Sequence, residues 1–360
     1  MSASEMPGAK ALSFVISADY ARRTGGWLYD HKLLQGLSAR GWQVRRITLP
    51  AGFPQPSPAV RAQSGAAFRA IADGSLVLVD QLCLGVLPEV AAAAGPRLRL
   101  VMIVHHPLAL EGYGTVTAAG IARAEREALR HVAAVITTSA STARALASDY
   151  AVPADRIIIA VPGVDRQALA RGSGGRRANL ISVGAVVPRK NHGLLVEALA
   201  GLAGLPWRLA IVGNLTRAGD HVSALRAMIA AYGLAARIRL TGELPDEQLA
   251  RLWSGADLYV SASRHEGYGM AIAEAFAHGV PVVTTYAGAA GAWIGRRGAK
   301  IVGDGRLLAL RTALGELIGS RHQRARLRRG AVARRRSLPT WEATAAVVDA
   351  RLKQLAASRS

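Results

Sequence analysis

DLYVSASRHEGYGMAIAEAFAHGVPVVTT, residues 257–285, is the stretch that decides the architecture. DLYVSAS is apolar enough for a buried strand, and it ends at Ser261–Ser263. A turn follows through Glu266-Gly267-Tyr268-Gly269. The pattern then predicts a helix from about Met270 to His278, ended by Gly279, and another strand from about Val280. Buried strands separated by helices indicate a parallel sheet covered on both faces.

The same stretch carries chemistry. Gly267 and Gly269 let the backbone come close to a ligand, and their N–H groups lie at a helix N-terminus, a ready anion site. Glu266 sits on the loop and Glu274 about one and a half turns into the helix, so both can reach one crevice. Carboxylates accept hydrogen bonds from sugar hydroxyls, bidentately where the hydroxyls are neighbours. Phosphate on the amides and hydroxyls on the glutamates is the division of labour this predicts.

Outward from this stretch the alternation continues. Upstream strand candidates are 12–17, 43–49, 76–80, 98–104, 133–139 and 157–161. The Gly- and Arg-rich ARGSGGRRAN (170–179) lacks apolar periodicity and reads as a linker. Strands then recur at 179–185, 207–213, 237–244, 257–263, 280–286 and 299–303. An α/β protein of two Rossmann-like domains facing each other across a cleft is expected, with 1–170 first and 171–336 second. LISVGAVVPRKNHGLLVEALAGL (180–202) adds a second candidate site. Gly184 allows a tight turn after a strand, and Arg189 and Lys190 stand just ahead of a helix, suited to a diphosphate.

Composition bounds the class. With 360 residues, 51% hydrophobic and 19% charged, the chain can bury sizeable cores, which excludes a disordered protein. Cys83 is alone and set in an apolar run, so no internal disulfide is possible and an inert buried thiol is expected. MSASEMPGAK followed by ALSFVIS makes a poor signal peptide, and no apolar run reaches the ~18 residues of a membrane span. A cytoplasmic protein is expected. The net charge is +21, and RHQRARLRRGAVARRR (321–336) holds eight arginines and no acid. That field attracts phosphates, nucleic acid or anionic lipid, and peripheral docking at the inner face of the membrane is one expectation. No aromatics interleave the basic run, which argues against a specific nucleic-acid binder.

With these residues in view, the chain resembles the retaining glycosyltransferases of family 4, which have the two-Rossmann-domain GT-B fold. The most specific part is Ser263-x-x-Glu266-Gly-Tyr-Gly269, Glu274-Ala and Gly279-Val-Pro281, with seven residues between the glutamates. The resemblance implies that Glu266 contacts donor-sugar hydroxyls, Glu274 holds the ribose, and the amides around Tyr268 and Gly269 bind the diphosphate. It implies that Arg189 and Lys190 stabilise the departing phosphate. Arg23-Thr-Gly25-Gly26 resembles the family's Gly-rich loop after the first strand. A histidine near the reacting sugar corresponds to His105 or His106, with His105 the better positional match. The helix after Trp341, in 337–360, would return to the first domain. In place of the family's Gly-x-x-Glu pattern stands YAGAAGAWIGRRG (286–298), without an acid and with Trp293 near that position.

The function so implied is transfer of a hexose from a nucleotide-diphosphate donor to an acceptor hydroxyl with retention. No cofactor and no metal are expected, because Arg189, Lys190 and the loop amides would meet the charge that develops on the leaving group. Whether Glu266 attacks covalently or positions the sugar stays open, as does the acceptor. An epimerase or a sugar phosphorylase on the same fold is the competing enzyme class.

Overall fold

The computed structural model describes residues 10–21, 24–111, 117–285, 288–303 and 305–357. Residues 1–9 of the segment weighed as a leader, Arg23, and the first two residues of the 286–298 run lie outside this range. Contacts divide the chain into two units, Met1–Gly163 with Pro339–Ser360, and Val164–Leu338.

The first unit contains β1 (Lys10–Ser17), β2 (Trp42–Leu49), β3 (Leu76–Asp80), β4 (Arg99–Val104), β5 (Ala134–Thr137) and β6 (Ile157–Ile159). They form a parallel sheet in the order β2-β1-β3-β4-β5-β6. β3 and β5 are buried at every residue, which explains their unbroken apolar sequences. The edge strand β2 exposes Gln43, Arg45 and Arg46, charged and polar positions that discourage further pairing. The terminal helix Trp341–Ala357 belongs to this unit. Its Asp349 Oδ1 accepts a hydrogen bond from Trp42 Nε1 at 2.8 Å, and its Thr344 Oγ1 donates to the Val161 carbonyl at 2.6 Å. Gly36 on the helix Gly25–Ser38 lets the two helices meet, since a Cβ there would stand 2.5 Å from that of Ala345.

The second unit repeats the plan with β7 (Ala178–Val183), β8 (Trp207–Val212), β9 (Ile238–Gly242), β10 (Leu258–Ser261), β11 (Val282–Thr285) and β12 (Ala299–Val302). All pairs are parallel, in the order β12-β11-β10-β7-β8-β9. The division falls ahead of the Gly- and Arg-rich stretch, which is pinned to the second unit. Arg171 and Gly172 donate their N–H groups to the Ser254 carbonyl, and the Asp257 carboxylate accepts from the amides of Ser173 and Asn179.

Both sheets therefore change winding direction once, between β1 and β3 in the first and between β7 and β10 in the second. Loops leaving the carboxyl ends of such neighbouring strands diverge to opposite faces and open a crevice for ligand. Among the described residues no helix is long and apolar enough to cross a membrane.

Candidate functional site

At the β7/β10 point, the loops after the two strands meet. Arg189 and Lys190 form the short 3-10 turn Pro188–Lys190 that leads into the helix His192–Ala200. Glu266 lies on the loop after β10. Lys190 Nζ donates to Glu266 Oε1 at 2.6 Å, and Arg189 Nη1 lies 3.6 Å from Oε2. Ser263 Oγ donates to the same Oε1 at 2.7 Å, with Ser261 Oγ a further 3.0 Å behind it. Arg189 is also fastened to the loop, donating to the His265 carbonyl at 2.9 Å. The expected cation pair and the expected sugar-binding carboxylate thus form one cluster.

Its electrostatics follow from burial and charge. Glu266 is 7% exposed, and burial alone would raise its carboxyl. Lys190 and Arg189 outweigh that, helped by Ser263, and hold it down to about 2. Glu266 is therefore a carboxylate at any working pH. A buried charge so held is compensated, and removing one partner strands the other.

The glycines set the geometry. Gly184 ends β7 with φ +149° and leaves room for Lys190, whose Cε would stand 3.0 Å from a Cβ there. Gly269, at φ +89°, caps the helix Met270–Ala277 without a side-chain hydrogen bond, so the first amides stay open. Gly267 and Tyr268 complete the turn, and Tyr268 is buried at 6% exposure. Glu274 follows on the helix, half-buried. Burial pushes its carboxyl up to about 7, with the Trp253 indole opposing the shift. Glu266 and Glu274 both act on the buried Tyr259 phenol of β10, which sets the two glutamates around the same strand.

Trp293 clamps the turn at Tyr268. Its indole stacks on Tyr268, with centroids 4.8 Å apart and planes at 9°, and its Nε1 donates to the Tyr268 carbonyl at 2.6 Å. Arg334 covers the indole at 5.6 Å and donates to the Trp293 carbonyl. The side chain is spent on the Gly267–Gly269 turn.

In the first unit, Thr24 caps the helix Gly25–Ser38, accepting from Trp27 N at 3.1 Å, and Gly25 and Gly26 open it. The histidine doublet after β4 separates into two environments. His106 Nε2 pairs with Glu111 Oε1 at 2.6 Å. His105 Nε2 lies 3.5 Å from Asp30 Oδ1 and 3.4 Å from Asp80 Oδ2. Sequence reasoning missed both aspartates. An acid closing the apolar run LVLVD was a usable signal for Asp80, whereas Asp30 sits inside a helix and carried none. Cys83 is buried, and burial with Asp80, Asp30 and Asp19 pushes its thiol up. The basic run 321–336 is also partly internal. Arg324, Arg328, Arg334 and Arg335 all donate to backbone carbonyls, while Arg321, Arg326, Arg329 and Arg336 are exposed, Arg321 reaching the Gly174 carbonyl at 3.5 Å.

Comparisons with known proteins bear on these arrangements. Residues 166–331 match the family described as Glycosyl transferases group 1, and residues 25–168 match Glycosyltransferase Family 4. An MMP alpha-(1->4)-mannosyltransferase of Mycolicibacterium hassiacum is 29% identical over 83% of this chain and 75% of its own length. A D-inositol 3-phosphate glycosyltransferase of Mycobacteroides abscessus is 35% identical, over 37% of this chain and 32% of its own. Among solved structures, sucrose-phosphate synthase of Thermosynechococcus elongatus superposes with a TM-score of 0.80 at 18% identity, covering 96% of this chain and 99% of that one. HepE of Anabaena, solved in complex with UDP and glucose, superposes with a TM-score of 0.75 at 19% identity, covering 96% and 100%.

Proposed function

Because the chain belongs to the glycosyltransferases of group 1 and family 4, with their two-unit GT-B fold, we propose that it moves a hexose from a nucleoside-diphosphate sugar to an acceptor hydroxyl, with retention at the anomeric carbon. The observation that carries this is the joining of Lys190, Arg189 and Glu266 beside the open amides of the Met270–Ala277 helix.

Departure of the diphosphate is the costly event, since negative charge grows on the bridging oxygen. Lys190, Arg189 and the Gly267–Gly269 amides supply donors that need little reorganisation, and one such donor contributes ~2.7–4 kcal/mol. Without donor, the two cations lean on Glu266. A diphosphate competes for them and frees the Glu266 oxygens to accept sugar hydroxyls. Glu274 then takes the ribose. Fixed cations and amides do the work a metal would do, so the reaction is proposed to proceed without one, and without a cofactor. The first unit is assigned the acceptor.

The donor is best sought with radiolabelled UDP-, GDP- and ADP-hexoses, each with and without EDTA. Transfer that survives EDTA and keeps the anomeric configuration supports the proposal. Release of only isomerised or hydrolysed sugar with every acceptor tried would overturn it. A lipid-docking role for the basic segment is a separate proposal, now confined to the exposed Arg321, Arg326, Arg329 and Arg336. Co-sedimentation with anionic vesicles that persists after all four become alanine would remove it.

A further inference from the structure

The β1/β3/β4 neighbourhood of the first unit assembles a charged cluster that the proposed donor chemistry does not use. Asp30 comes from the helix after β1, Asp80 closes β3, and His105 follows β4. The order β1-β3-β4 puts these three points side by side. The side chains of Asp30 and Asp80 are 0% and 7% exposed, and that of His105 is 16% exposed.

We propose that Asp30 and Asp80 are positioning residues that hold His105 as a fixed cation at the carboxyl edge of the first sheet, its Nε2 set between their two carboxylates. At 3.5 and 3.4 Å these are ion-pair separations rather than hydrogen bonds, and two carboxylates facing one ring nitrogen favour the imidazolium over the neutral ring. The ring cannot swing away. Tyr29 meets it edge-on at 5.4 Å with its own hydroxyl donating to the Ala160 carbonyl. Gly26 also lies against it, where a Cβ would stand 3.1 Å from His105 Cδ2 and Nε2. This gives the second glycine of the loop a reason of its own, since any side chain there would push the ring off the aspartates.

The charge follows from the groups that face the ring. Asp30 and Tyr29 come from the helix after β1 and Asp80 from the end of β3. Behind them lie Cys83, a buried thiol pushed up by burial, and Asp19 beyond β1, which acts on that thiol. The positive end of the adjoining helix opposes a cation here. Burial also favours the neutral ring, yet the two carboxylates outweigh it and push His105 up to about 10. A histidine so held is no general base at neutral pH. It is a permanent donor and positive charge for a substrate oxygen, which deepens the sugar-transfer role and rests on the function proposed above. The protonation itself does not rest on it.

The test is therefore made first without substrate. The full chain, labelled with 15N-histidine, is titrated from pH 6 to 10.5, with the His105 signals assigned by His105→Gln. The expected result is an imidazolium that persists past pH 9, with Asp30→Asn and Asp80→Asn each lowering its midpoint by at least one pH unit. A wild-type midpoint near 6.5 would overturn the proposal, whatever the variants do. So would a midpoint unmoved in both variants when circular dichroism shows them folded. The three donor atoms lie within 4.8 Å of one another, a spacing that a divalent cation can bridge. Stoichiometric metal in the purified protein by elemental analysis would overturn the proposal too. In turnover, Asp80→Asn is expected to lower kcat more above pH 8 than at pH 6, with nucleotide affinity unchanged. A pH-independent loss would reduce the pair to scaffolding.

Discussion

Lys190 and Glu266 each depend on the other, so single substitutions at either read differently from surface ion pairs. Lys190→Ala leaves a buried carboxylate with Arg189 at 3.6 Å and Ser263 as its remaining partners. Glu266 is then expected to rise from about 2 toward the ordinary carboxylate range. A depressed carboxyl stabilises the fold above its unfolded value near 4.5 and loses that contribution as pH falls through about 2. The variant should accordingly unfold at higher pH on acid titration. Turnover should fall ~10²–10³-fold, read in single-turnover assays, if Lys190 meets the leaving group. Near wild-type turnover would remove that assignment. Glu274 behaves oppositely. Its carboxyl is raised to about 7, so the folded state holds a proton that the unfolded chain has lost, and stability declines as pH rises from about 4.5 through 7. If the charged form holds the ribose, nucleotide affinity should weaken up to about tenfold per unit below pH 7. Calorimetry between pH 5.5 and 8 checks this, and Glu274→Gln should flatten the dependence.

At the scale of elements, two segments turn inward. The helix Ala289–Ile294 after β11 supplies Trp293, whose indole stacks on Tyr268 and braces the Gly267–Gly269 turn. Trp293→Phe keeps the stack and loses one hydrogen bond, for which ~0.5–1.5 kcal/mol is typical. Trp293→Ala also removes the stack and opens a cavity, at ~3–5 kcal/mol for a large aromatic. The donor KM is expected to rise modestly in the first and strongly in the second. Equal effects would show that the hydrogen bond alone fixes the turn. The helix Arg321–Arg334 is the other case. Arg324 is 6% exposed and donates to the carbonyls of Leu317 and Ile318, at 2.6 and 2.8 Å. It therefore caps the last turn of the preceding helix, Leu307–Gly319. Arg324→Ala should cost ~1–3 kcal/mol by leaving buried carbonyls unsatisfied, visible as a lower Tm. Arg326→Ala, exposed on the same helix, should change it little.

At the scale of the whole molecule, the first unit is assembled from both ends of the chain. Gly163 marks the exit from that unit and touches the start of the terminal helix, where a Cβ would stand 2.1 Å from Trp341 N. Trp42 of β2 and Asp349 join the two ends at 2.8 Å. Trp42→Phe would orphan an almost fully buried carboxylate oxygen at ~1–3 kcal/mol. For a unit of this size each kcal/mol lowers Tm by about 2–4 °C. Differential scanning calorimetry should show that loss in one transition, with the transition of the second unit unmoved. A loss shared by both transitions would mean that the two units unfold together.

The sequence by itself determined the twelve strands, the two-unit α/β plan and the glycine turn that exposes amides after β10. Each of these is written in local periodicity or in the conformational freedom of glycine, which neighbours along the chain reveal. Tertiary structure alone decided which charges meet. Lys190 and Glu266 are 76 residues apart and pair because β7 lies beside β10. Asp30, Asp80 and His105 converge because β3 lies between β1 and β4. Strand order is fixed by packing across the whole sheet, and no periodicity records it. For the same reason the arginine run reads as an anion-attracting field: charge is visible in a sequence, but the carbonyls that absorb it are not.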